Sequence, residues 1–232
     1  SKNLFFQKLC LFFPYFSSFQ LVEFQREMDQ KSMQIDTIKK GVFSLAASPL
    51  YAYRMENGYQ PVIGEGSLET EVVFIGEAPG KNEALSGRPF CGRAGKVLDE
   101  LLPEAGLERG AVYITNIVKD RPPNNRRPTP REVEIYSPFL IKQIEIIQPK
   151  MIITLGSTAA SFMFDFLSLA ERDLPFGDAE GKVINVRVNE QARLLYPLYH
   201  PAYGIYQRAM LPKMREDFRR IPELLRNFDQ LD

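Results

Sequence analysis

At 232 residues, 44 % apolar and 25 % charged, the chain suits one soluble α/β domain with some extension, or a domain plus a small appendage. Lysine plus arginine equals aspartate plus glutamate at 29 each, so bulk charge points to no nucleic acid and an anionic partner needs a local patch. Two cysteines, Cys10 and Cys91, are too few for a four-thiolate zinc site or an iron–sulfur cluster, and the lone histidine, His200, argues against a His-based metal site.

In chain order, the apolar start NLFFQKLCLFFPYFSSFQLV is interrupted by Lys8 and Pro14 and has no small-residue cleavage site. It falls short of the roughly 20 uninterrupted apolar residues of a spanning helix. It reads as a packing extension or a consequence of start-site choice, since Met28 and Met33 follow. Residues 1–40 are expected to be an extension, helical or partly disordered, ahead of a single domain over 41–232. Residues 17–40 are polar and helix-compatible, and AASPLYAYRMENGYQPVIGEGS after Gly41 is expected to be loop.

The pattern then becomes regular. Glu71–Ile75, Val112–Val118 and Met151–Leu155 read as strands, with Val183–Val188 and Leu194–Leu198 as further candidates. Helices are expected over Ala94–Ala105, from Pro130 to about Gln148 with Thr129 as N-cap, from Ser157 to Phe166, and over Met210–Asn227. Strands alternating with helices predict a three-layer α/β/α sandwich around a central, mostly parallel, roughly four-stranded sheet. Ligands of such sheets bind beyond the carboxyl ends of the strands. Glu77–Glu83, Asn116 onward and Tyr199–Tyr203 occupy those ends.

The turn Gly76–Gly80, GEAPG, can cradle a phosphate, wall a pocket for a ring, or simply turn the chain. Glu77 and the missing Lys-Ser/Thr pair argue against a phosphate. In GRPFCGRAG, Pro89, Gly92 and Gly95 stiffen and tighten a loop that fixes Phe90, either as a stacking platform or as core. Asn116 inside an apolar strand is a structural hydrogen-bonder or presents its amide to a pyrimidine edge. His200 before Pro201 lies on an extended, stiff segment after the last strand. The segments 119–131 and 207–220 carry five basic residues each against one and two acids, as a phosphate track would.

GEAPGxxE, GRPFxGRAG, TNIVKxRPPNNR, the Leu-Gly-Ser-Thr-Ala-Ala turn and YHPA, in this order over residues 41–225, closely resemble the uracil-DNA glycosylase superfamily. The nearest branch is the iron–sulfur-containing family four. The resemblance implies a cytoplasmic, nucleoid-associated, monomeric repair enzyme with no membrane partner. It flips deoxyuridine from DNA, cleaves the N-glycosidic bond and leaves an abasic site. It puts substrate contacts on Gly76, Ala78, Phe90 and Asn116, and catalysis on Glu77, Glu83 and His200. Of the carboxylates, Glu83 is expected at the water or sugar and Glu77 nearer the uracil. Arg121, Arg126, Arg127 and Arg208 are the expected DNA contacts.

The chain departs from the family at several positions. The four cluster cysteines align with Leu45, Ser48, Asp120 and Tyr136, which implies loss of the whole cluster and no cofactor. Ala84 replaces an aspartate, Cys91 a common valine, and Ala78 stands where some branches carry an acid. Alternatives are a non-catalytic DNA- or pyrimidine-binding member, and a glycosylase for hypoxanthine or xanthine.

Overall fold

The computed structural model describes residues 18–230. The apolar stretch before residue 18 lies outside the described residues. The chain opens with α1 (Ser18–Phe43) and α2 (Leu50–Glu56), then β1 (Glu65–Gly66) and β2 (Val72–Gly76). Next come α3 (Lys81–Ser86), α4 (Arg93–Leu101), β3 (Tyr113–Asn116), α5 (Pro130–Ile147), β4 (Met151–Leu155) and α6 (Ser157–Phe166). The last third holds α7 (Phe176–Ala179), β5 (Ile184–Val188), β6 (Gln191–Leu198), α8 (Pro201–Tyr206), α9 (Leu211–Arg219) and α10 (Ile221–Phe228).

The six strands run in the order β1-β3-β2-β4-β6-β5. β3, β2, β4 and β6 are mutually parallel, which is the expected four-stranded centre. Two antiparallel edges extend it: β1, two residues long, pairs with β3, and β5 forms a hairpin with β6. The central strands are apolar on both faces because both faces are covered. In β2, Val72 and Phe74 join a core with Leu98, Met214 and Phe218, whereas Val73 and Ile75 face Val42, Leu140, Ile144 and Met163. That alternation makes three layers, with α4, α9 and α10 on one side and α1, α5 and α6 on the other.

Local chemistry sets the helix ends. Thr129 and Glu132 form a reciprocal capping box at the start of α5. Inside α5, Pro138 cannot donate to Glu134, and the Ser137 hydroxyl bonds that carbonyl instead at 3.2 Å. Three expectations differ from the structure. Helix α1 runs through Gly41 to Phe43 and buries Ile38 and Val42, so no break falls at residue 41. The segment expected as loop contains α2, because Leu50 and Arg54 are buried against the core. The closing helix is two helices, since Pro222 has no N–H to continue the ladder of α9.

Candidate active site

A cavity of about 630 Å³ lies beyond the carboxyl ends of β2, β3, β4 and β6. Glu77, Ala78, Glu83, Phe90, Asn116, Arg127 and His200 all line it. Gly76, the last residue of β2, forms the floor on which two of these side chains rest. A Cβ there meets Asn116 Oδ1 at 2.3 Å and Phe90 Cζ at 2.6 Å, so only hydrogen fits. The Phe90 backbone is left-handed, with φ +47°, and Gly95 lets that turn pack closely: a Cβ at 95 lies 1.7 Å from the Phe90 carbonyl oxygen. Phe90 is 6 % exposed, and its ring centroid lies 5.6 Å from that of His200.

Asn116 is 2 % exposed, and no described residue is hydrogen-bonded to its side-chain amide. Its amide faces the cavity with donors and acceptor unused. His200 caps α8, its Nδ1 accepting the Ala202 N–H at 3.1 Å. Nδ1 is therefore unprotonated, and the proton of the neutral ring sits on Nε2 as a donor. Burial pushes the His200 pKa down to about 4, against an upward pull from Glu83. The ring is thus neutral near pH 7.

The two glutamates differ in their partners. Glu83 Oε1 accepts the N–H groups of Cys91 (3.0 Å) and Gly92 (2.8 Å), which ties α3 to the Phe90 loop. The Glu77 carboxylate has no hydrogen-bond partner among the described residues.

The four expected arginines separate. Arg127 and Arg208 are exposed and in no ion pair among the described residues, but only Arg127 lines the cavity. Arg121 donates to Asn125 Oδ1 (2.8 Å) and Tyr59 Oη (2.7 Å), bracing the loop behind the rim. Arg126 makes a two-pronged ion pair with Glu132, at 2.8 and 2.6 Å. Burial opposes ionisation of Glu132, but Arg126 and the Thr129 N–H hold its pKa below the usual carboxylate range. Arg126 is thus engaged by a buried partner, although its own side chain stays 42 % exposed. Lys81, Arg93, Asn125, Gly156, Ser157, Thr158 and Tyr206 also line the cavity and were not among the expected site residues. The strand-end rule, applied to β4 as to its neighbours, points to Gly156–Thr158 directly.

The positions implied for cluster ligands lie together on the α1 and α5 side of the sheet. The Tyr136 hydroxyl donates to Asp120 Oδ2 at 2.5 Å and lies 2.8 Å from Ser48 Oγ. Arg54 bridges Asp120 at 3.2 and 3.0 Å and donates to the carbonyls of Val42 (3.0 Å) and Phe43 (2.6 Å). The Arg54 and Asp120 side chains are 3 % and 1 % exposed, and Leu45 packs against the adjoining core. Burial raises the Asp120 pKa despite the hydroxyl and the guanidinium. These residues do not fit an iron–sulfur cluster. None is a thiolate, and their polar atoms already satisfy one another.

Comparison with known proteins identifies the family. Residues 63–226 match the uracil DNA glycosylase superfamily. Type-4 uracil-DNA glycosylase from Sulfurisphaera tokodaii is 40 % identical over 82 % of this chain and 84 % of its own. The Saccharolobus solfataricus protein of the same name is 44 % identical over 71 % of this chain and 76 % of its own. That of Thermotoga maritima is 42 % identical over 75 % and 85 %. With that match, a cavity framed by Gly76, Phe90, Asn116 and His200 has a family, and the chain belongs to the uracil-DNA glycosylase superfamily.

Proposed function

We propose that this protein is a uracil-DNA glycosylase, a repair hydrolase that extrudes deoxyuridine from DNA and cleaves its N-glycosidic bond. The observation that carries the reading is the pairing of an unpartnered, buried Asn116 amide with a neutral His200 donor in one cavity. Extrusion of the nucleotide costs a few kcal/mol. The Phe90 ring, held against Gly76, offers the flipped base an apolar face. Asn116 accepts from uracil N3–H and donates to O4. His200 Nε2–H donates to O2, where negative charge grows as the base leaves, as a preformed oxyanion site does.

The carboxylates divide by their partners. Glu83 is anchored by two N–H groups, so its carboxylate is held in a fixed place. It faces the cationic sugar. Glu77 keeps free lone pairs and orients the attacking water. Uracil-containing DNA is the substrate, met by a monomer in the cytoplasm beside the nucleoid. No iron–sulfur cluster is needed, since Leu45, Ser48, Asp120 and Tyr136 supply no ligands for one.

The test is incubation with single- and double-stranded oligonucleotides holding one uracil, hypoxanthine or xanthine, followed by alkaline cleavage of abasic sites. Cleavage at uracil, lowered strongly by Asn116→Ala and by His200→Ala, is expected. Retained DNA binding without cleavage at enzyme excess makes the protein a binding module, and cleavage at hypoxanthine or xanthine alone changes the substrate.

A further inference from the structure

Behind the Asn116 wall lies a buried cation that the chemistry above does not use. Lys119 is 0 % exposed, burial opposes its charge, and no carboxylate among the described residues forms an ion pair with it. Its Nζ donates to Thr115 Oγ1 at 2.8 Å, to the Asn116 main-chain oxygen at 2.6 Å and to Gln143 Oε1 at 2.6 Å.

In this network all three act as acceptors toward Nζ. The Thr115 hydroxyl donates to the Ile63 carbonyl at 2.7 Å. The Gln143 amide group is turned to the Ile63 carbonyl and to Tyr113 Oη, both at 2.9 Å. Three acceptors need three N–H bonds, and a neutral amine has two. The hydrogen-bond geometry therefore selects the ammonium, although burial pushes its pKa well below the usual lysine range. Tyr113, the other titratable group of this cluster, is kept neutral by burial.

We propose that Lys119 is a positioning residue for base release: a buried ammonium that fixes the Asn116 end of β3 and biases the pocket toward a departing anion. Its grip on the Asn116 carbonyl sets the peptide from which the base-reading amide projects. Its charge acts through protein, without water to screen it, on a pocket where negative charge appears as the bond breaks. The assignment rests on the proposed glycosylase activity.

The leaving group supplies the test. Lys119→Met and Lys119→Gln are neutral, and thermal melts establish which of them folds. Single-turnover excision is measured on oligonucleotides holding uracil or 5-fluorouracil, at mildly acidic pH where both bases keep N3–H. 5-Fluorouracil is the more acidic base and needs less help to leave as an anion. The folded variants are expected to lose about 10- to 100-fold on uracil, somewhat below the loss of one direct oxyanion donor, and several-fold less on 5-fluorouracil. Equal losses on both bases make Lys119 a structural brace and overturn the proposal, as does no loss. A wild-type protein that leaves uracil in place overturns the glycosylase reading instead.

Discussion

At the residue scale, the site depends on what each group is prevented from doing. His200 is prevented from charging: its pKa of about 4 lies below the ordinary value near 6.5. The acid limb of the single-turnover rate should therefore lie near the carboxylate range, with no inflection at the ordinary histidine value. The unfolded ring binds a proton that the folded ring refuses. The wild type should thus lose stability, relative to His200→Asn, as pH falls from about 6.5 to about 4. Urea melts across that window check the sign. Gly76 is prevented from bearing a side chain. Gly76→Ala puts a Cβ 2.3 Å from Asn116 Oδ1, so a rate loss of about 100-fold is expected, with about 1–3 kcal/mol of destabilisation from overpacking. Excision assays and thermal melts read the two effects. Phe90, Asn116 and His200 were legible because strand-end position and residue type agree. Arg126 was misleading: sequence places a cation in a basic loop, and only the fold brings Glu132 beneath it.

At the element scale, α1 and α2 are tied to β3 and α5 through Arg54, Asp120, Tyr136 and Ser48. The ion pair is buried, so removing one partner strands the other. Arg54→Met leaves Asp120 unpaired at 1 % exposure and should cost about 3–5 kcal/mol. For a chain of this size that is a fall in melting temperature of roughly 6–20 °C. Tyr136→Phe should cost less, about 1–3 kcal/mol, by stripping Asp120 of one donor. Chelators and mild oxidants should leave the wild-type melting temperature unchanged; a drop with release of iron makes metal, and not this network, the tie. The fold itself was legible where periodicity is local, as in Val72–Gly76 and Met151–Leu155. It was not legible at α2, whose helical state rests on contacts from Leu50 and Arg54 to residues distant in sequence. Nor was the two-residue strand β1 legible, because pairing with β3 and not propensity makes it a strand.

At the scale of the whole molecule, equal numbers of acids and bases leave no net field to draw DNA, so affinity depends on where cations are left unpaired. Lys81, Arg93 and Arg127 are exposed at the cavity mouth and in no ion pair among the described residues. The uncapped N-termini of α4 and α6 open onto the same cavity and add partial positive charge. Arg121 and Arg126, by contrast, hold the loop that carries Asn125 and Arg127. Each phosphate contact steepens the fall of log affinity with log salt by about 0.9 on duplex and about 0.7 on single strands. Lys81→Gln, Arg93→Gln and Arg127→Gln should therefore each flatten that slope by close to one contact's worth, on any sequence, and together by about three. Arg126→Gln should leave the slope unchanged while lowering the melting temperature, because it removes the partner of a buried carboxylate. Fluorescence anisotropy on a uracil-free duplex across a salt series separates the two kinds of arginine. A slope that responds to Arg126→Gln and not to Arg93→Gln would move the DNA track away from the cavity mouth and onto the outer face of the loop.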